Sequence, residues 1–400
     1  MADVRSVTIG VWLARGSRHE SDAESGIAHF VEHMLFKGTA TRTAQAIAEE
    51  IDSIGGQLDA FTAKEYAAYY IRVLDEHLPL AVDLLADMVM HPAFAADDVA
   101  KEQSVILEEI KMVEDAPDDL VHEVFTRHFW NDHPLGRPIL GTPETVASFT
   151  APTLRRYFES TYTAPNLIVS AAGHFETSHL RDLVSRAFAS LPTSAMGAVT
   201  EAPVVSRGLS VREKDIEQAH VCLGTAALPT AHDDRHAAYV LNTILGGSMS
   251  SRLFQHIREE RGLAYAVFSN LTSYSDAGML TVYAGCAADK VGDVVDLTLA
   301  ELRGLRDAAV TAAELRRAKD HLKGSLMLSL ESTSSRMSHL ARQELYFTRH
   351  DSMDETLARI ERVSMDDVRR VAAAMFRDEH LSATIVGPDA SPLDAGRLRL

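Results

Sequence analysis

Residues 28–37 read AHFVEHMLFK, and the folding of this stretch governs the reading of the rest. His29 and His33 stand four apart, so a helix places them one turn apart on one face, where both imidazoles reach a single metal ion. Glu32 projects to the same side, about 60° from His29 at roughly 100° per residue. Ile27, Phe30, Val31, Met34 and Leu35 make the remainder apolar all round, the composition of a buried helix. Buried ionisable groups must pair, bind metal or change charge, and three on one stripe have a shared task.

The order His-x-x-Glu-His is that of the inverted zinc-protease motif, in which two His hold zinc and the Glu acts on its water. Zinc takes neutral imidazole and carboxylate ligands, and a catalytic site keeps one position for water. Glu32 is then the general base on zinc-bound water, which coordination makes acidic enough to yield hydroxide near neutrality.

A third ligand is sought in the helix expected from Asp97-Asp98, its cap, to about Glu114, ahead of Pro117. With Glu102 at zero on a helical wheel, Val99, Val105, Ile106, Ile110 and Val113 fall within about 80°. Glu109 falls about 20° from Glu102, inside that apolar stripe, and Glu108 about 120° away, toward solvent. Carboxylates in a buried stripe need a cation. Zinc supplies it, with Glu109 as third ligand; Glu102, two turns earlier, is placed to orient ligands or share the substrate's proton.

The 400 residues suffice for two or more domains, and 46% hydrophobic with 24% charged residues is the balance of a globular protein. A net charge of -18, from 39 Lys+Arg against 57 Asp+Glu, argues against phosphate-backbone binding. No nucleic-acid partner is expected. No apolar run is long enough to cross a bilayer and no signal peptide opens the chain, so a cytoplasmic protein without a membrane partner is expected. Cys222 and Cys286 lie in strand-like runs and read as buried thiols, although a meeting across a sheet is open.

Residues 4–14 (VRSVTIGVWLA) read as a strand, 43–54 as an amphipathic helix, and 57–63 and 66–74 as strands after Gly55-Gly56. Leu78–Met90 is again helical, stopped by Pro92; a helix pair follows Gly141, then strand 166–172. His122, His128 and His133 read as surface or packing residues. Residues 191–208, small and proline-containing, read as linker, which divides the chain into 1–192, 193–208 and 209–400. GRPILGTPETVASFTAPTLRRYF (136–158) is echoed by DETLARIERVSMDDVRRV (354–371) and AVDLLADM (from 81) by VVDLTLAEL (from 294). Two homologous α+β halves, each a mostly antiparallel sheet packed with helices, explain the echoes. YVLNTILG (239–246) stands opposite the metal helix without His or Glu, which frees the second half to bind substrate or complete the pocket. There Arg258 and Tyr265 bracket a Gly262 turn, placed where packing does not require them.

HFVEHMLFKGT, VILEEIKM and IREERGLAY together resemble the inverzincin peptidases related to pitrilysin, insulin-degrading enzyme and the mitochondrial processing peptidase. The size is similar to that of the short bacterial members, whose subunit is half of a chamber. The resemblance implies one Zn²⁺ per subunit on His29, His33 and Glu109, with Glu32 and Glu102 catalytic. It implies that a peptide adds as a strand along Asp59, Ala60, Phe61 and Thr62, that Tyr265 donates to the oxyanion, and that Arg258 holds the peptide backbone. It further implies a homodimer enclosing a closed chamber, with Arg258 and Tyr265 serving the partner's zinc. The activity so implied is that of a zinc metalloendopeptidase on unfolded or short peptides. The alternative is a non-catalytic peptide-binding or core-subunit relative; such members lose ligands or the Glu, and all are present here. One departure is the amino terminus, where relatives carry a further strand with an Asn-Gly turn; the first sheet is expected to be one strand short or completed differently.

Overall fold

Alternation in the first strand makes its sheet two-faced. In β1 (Ser6–Leu13), Val7, Ile9, Val11 and Leu13 enter one apolar cluster, while Thr8, Gly10 and Trp12 face the opposite side. The computed structural model describes residues 1, 3–194, 201–347, 349–388, 393 and 395–400, and it divides into two compact units. The residues 195–200 of the expected linker lie outside the described residues, and 193–194 and 201–207 carry no helix or strand.

The first unit comprises Met1–Met112, Arg137–Glu201 and Leu328–His350. Its sheet joins β1 to β2 (Gln57–Thr62), β3 (Ala67–Leu74) and β4 (Leu167–Gly173) in the order β2-β3-β1-β4, every pair antiparallel. One face is covered by the motif helix (Ile27–Leu35) and the helices Leu78–Met90 and Ala151–Thr161. The other face is closed by Thr333–Tyr346, a helix from far along the chain. Its Met337 lies against Trp12, whose Nε1 donates to Sδ at 3.1 Å, and Thr333 and Thr8 hydroxyls meet at 2.8 Å. Gly10 leaves room for that packing: a Cβ there would stand 2.9 Å from the Met337 sulfur.

Several elements fall where expected. Leu78–Met90 is one helix, and Ala44–Ser53 is capped by Thr43, whose hydroxyl accepts from Ala46 N at 3.1 Å. The carboxylate helix spans Ala96–Asp115, so Asp97 and Asp98 sit in its first turn and do not cap it. Their charge still suits that end of the helix.

The second unit comprises Val113–Gly136, Ala202–Met327 and Asp351–Leu400. β5 (Gly208–Glu213), β6 (Ala219–Ala227), β7 (Ala264–Ser273), β8 (Gly278–Cys286) and β9 (Ser382–Gly387) run in the order β5-β9-β6-β8-β7. Only β5 and β9 are parallel among the described strands. Without β5 the order β9-β6-β8-β7 repeats β4-β1-β3-β2, the internal echo expressed as topology. The first sheet thus has four strands to the second's five among the described residues. The helix after β6, Arg235–Leu245, occupies the place in its unit that the motif helix holds in the first.

Cys222 and Cys286 are both buried and unbridged. Cys222 belongs to the cluster under helix Pro117–Phe129 and Cys286 to the cluster on the opposite face, so the sheet separates them. Burial pushes both thiols up, Cys286 to about 11. No helix among the described residues is long and apolar enough to cross a membrane.

Candidate metal centre

The motif helix is aimed from its first turn. Gly26, at φ +95°, precedes it in a backbone conformation that a side chain resists. Glu20, fully enclosed, accepts from Gly26 N and Ala28 N at 2.8 Å each, satisfying two donors that a helix start leaves open. Burial pushes its carboxyl up to about 8 against the pull of those two N–H groups. Arg137 ties the same loop by donating to Glu20 O at 2.7 Å.

One turn in, His29 and His33 present their rings to each other with centroids 4.6 Å apart. Glu109 reaches them from the carboxylate helix: its Oε2 lies 3.7 Å from His29 Nε2 and 3.6 Å from His33 Nε2. One donor atom from each of the three lies within 4.8 Å of the others. A tetrahedral ion with bonds of about 2.0–2.1 Å needs donors roughly 3.4 Å apart. Two imidazoles and a carboxylate at this spacing fit zinc.

Electrostatics favour the same ion. Burial, then the neighbouring His33, pushes His29 down to about 3, leaving a neutral imidazole. His29 Nδ1 is buried with no partner among the described residues, so that ring's remaining interaction is at Nε2, beside Glu109. Burial raises the Glu32 carboxyl above its ordinary value.

Glu102 is 4% exposed and does not face the three donors with a free oxygen. Its Oε2 meets His33 Nδ1 at 3.0 Å and its Oε1 meets Lys37 Nζ at 2.7 Å. A carboxylate on Nδ1 keeps the proton there and leaves Nε2 as the lone-pair donor. The stripe around it is narrower than the wheel implied: Val99 and Ile106 are buried, whereas Val105 is 42% exposed. Glu108 faces outward and pairs with Lys111 at 2.6 Å.

The edge strand β2 carries the other expected residues. Asp59 is exposed, and its carboxylate accepts from Ala60 N at 2.8 Å and from Tyr70 OH at 2.9 Å. Phe61 packs edge-on against Trp12, at 5.6 Å, and so offers a peptide its backbone more than its ring. Thr62 was expected only as part of the peptide-adding edge, yet its hydroxyl donates to Glu32 Oε2 at 2.5 Å. Its spacing two residues beyond Ala60, hence the same strand face, was the available signal. Lys37 was likewise visible only as the end of the helix.

Arg258 and Tyr265 belong to the second unit. Tyr265 is 80% exposed at the start of β7, with the Arg258 guanidinium 5.2 Å from its ring centroid and 4.8 Å from that of Phe254. A large exposed aromatic braced by a cation is available to a ligand. His122, read as a packing residue, stacks on Tyr283 and meets Cys222 Sγ at 3.3 Å.

Comparison with known proteins gives concordant matches. The family described as insulinase (peptidase family M16) matches residues 2–143, and that described as peptidase M16 inactive domain matches 148–322. The chain is similar to the uncharacterized zinc protease YmxG of Bacillus subtilis, at 45% identity over 96% of this chain and 93% of that one. An uncharacterized zinc protease of Streptomyces coelicolor is 41% identical, over 97% and 86%. Two solved structures share the fold. One is a protease from Helicobacter pylori, with TM-score 0.89 and 23% identity over 96% of this chain and 94% of that one. The other is a peptidase M16 inactive domain from Pseudomonas fluorescens, with TM-score 0.91 and 22% identity over 97% and 94%.

Proposed function

This chain belongs to the insulinase family, peptidase family M16, and from that premise we propose that it is a zinc-dependent metalloendopeptidase acting on unfolded or short peptides. The observation that carries the reading is the convergence of His29, His33 and Glu109 beside a carboxylate, Glu32, that is not needed as a ligand. When bound, zinc acidifies water and polarises the scissile carbonyl.

The residues divide the remaining work. Glu32 takes the proton of the attacking water and returns it to the leaving amine. Glu102 holds His33 in the ligating tautomer. The peptide lies along β2, where Asp59, Ala60 and Phe61 offer main-chain pairing that tolerates many sequences. Tyr265 donates to the oxyanion and Arg258 holds the peptide backbone, in this reading from the partner subunit of a homodimer that encloses the chamber.

The deciding experiment is cleavage of a flexible, internally quenched fluorescent peptide by the purified protein, without and with chelator, and after zinc is restored. Turnover that chelation abolishes and zinc restores supports the peptidase. Tight zinc binding with no turnover on several unrelated peptides would point instead to a non-catalytic relative. Sharing of the site between subunits has its own check. Mixing Glu32→Gln with Tyr265→Phe protein should recover up to about a quarter of wild-type activity after subunit exchange, since about half the dimers are then mixed and each has one intact composite site of its two. No recovery after verified exchange would rule the shared site out.

A further inference from the structure

We propose that Thr62 is a positioning residue for the base, so that the strand receiving the peptide also aligns the carboxylate that activates water; this rests on the peptidase reading above. The hydroxyl of Thr62 donates to Glu32 Oε2 at 2.5 Å, and Glu32 Oε1 meets no donor among the described residues. One oxygen is pinned and the other is left for water.

Strand parity explains why Thr62 reaches Glu32. Leu58 and Ala60 pack against the core beneath the motif helix, and Thr62, two residues further, shares their face. Asp59 and Phe61 turn the opposite way, toward Tyr70 and Trp12. A one-residue slip of β2 would exchange the two sets and withdraw the hydroxyl from the base.

Thr62 is held in register more firmly than an edge strand alone would be. It pairs with Ala67 across β3, and the turn beyond it closes through Ala63 N donating to Tyr66 O at 2.8 Å. Ser17 N and Arg18 N then donate to Ala63 O and Lys64 O at 3.2 and 2.7 Å. A buried ion pair, Arg18 Nη1 to Glu65 Oε1 at 2.7 Å, with Tyr346 OH on Oε2 at 2.9 Å, locks the same turn. Gly16 lets these chains touch, since a Cβ there would stand 2.2 Å from Ala63 O. The fixed turn delivers one hydroxyl to one carboxylate oxygen.

The test uses the full chain with Thr62→Val, which keeps the shape and removes the donor, and Thr62→Ser, which keeps the donor. In zinc-free protein, the infrared difference between wild type and Glu32→Gln isolates the Glu32 carboxylate band. That band should shift in Thr62→Val and stay in Thr62→Ser. With zinc, Thr62→Val should lower kcat about 10–100-fold, as expected when a reacting group loses a charge-assisted bond and its alignment. KM and zinc affinity should stay within about twofold of wild type, and Thr62→Ser should recover most of kcat. An unshifted band overturns the proposal. So does a loss of kcat matched by a loss of zinc affinity and not rescued by serine, which would mark Thr62 as merely structural. Should wild type cleave no peptide, the peptidase reading fails by itself, and the band still decides whether Thr62 holds Glu32.

Discussion

Glu32→Gln is expected to lower kcat by about 10²–10⁴-fold with zinc content unchanged, the range that a positioned general base contributes. The amide is nearly the same size, and its oxygen still accepts from the Thr62 hydroxyl, so the helix and the three donors around it stay in place. What disappears is the lone pair that takes the proton of water. Because Glu32 is not among the three convergent donors, the variant separates metal binding from proton transfer. The pH dependence has a definite sign. Burial raises the carboxyl of Glu32 in the metal-free protein, and only the deprotonated form is a base. A dication alongside favours the carboxylate, so loading with zinc should release protons, and activity should fall as pH drops through the carboxyl's titration in the loaded protein. Steady-state kinetics on a quenched peptide, paired with metal analysis of the same samples, would check this. A kcat within tenfold of wild type in a zinc-replete variant would remove Glu32 from the role of base.

The pattern of what sequence could convey follows from the range of each interaction. His29, Glu32 and His33 were legible because a helix of apolar composition leaves polar residues only where something needs them. Glu109 was legible from the second helix by the same period, although the stripe was drawn too wide and took in the exposed Val105. A wheel gives directions around one axis and cannot say where the neighbouring elements end. Glu20 was not legible, because its partners Gly26 and Ala28 are reached by a loop closure that no periodicity encodes. Thr62 required knowing which face of β2 turns toward the motif helix, a matter of register. Nor did the sequence indicate that Thr333–Tyr346 would close the far face of the first sheet, since nothing in the four-residue spacing of Met337 and Ala341 points to Trp12 as their partner. The strand order common to both sheets came through as faint echoes because topology survives substitutions that erase the residues.

Glu109→Gln is expected to weaken zinc binding by more than about 100-fold, and Glu102→Gln by about 10–100-fold, the range typical of residues that orient a ligand. Glu109 supplies the anionic donor of the set, 3.6 and 3.7 Å from the two imidazole nitrogens, and a neutral amide leaves the ion less compensated. Glu102 acts one step back, and its amide has no good orientation. If the amide oxygen faces His33 Nδ1, the NH₂ group meets the Lys37 ammonium; if it turns, NH₂ faces Nδ1 and drives the ring proton to Nε2, the atom needed for the metal. Glu108→Gln is the matched control. It sits beside Glu109 in sequence but pairs with Lys111 on the exposed side, so its zinc affinity should be that of wild type. The pH dependence separates contributions further. His29, held near 3 by burial and by His33, does not compete for protons above pH ~4, so any acid weakening of zinc binding between pH 5 and 7 must come from other groups. Competition against a chromogenic chelator across that range would give each affinity. Glu109→Gln binding zinc within tenfold of wild type would move the third ligand elsewhere. Equal losses in Glu108→Gln and Glu109→Gln would mean that the helix, and not one carboxylate, had been disturbed.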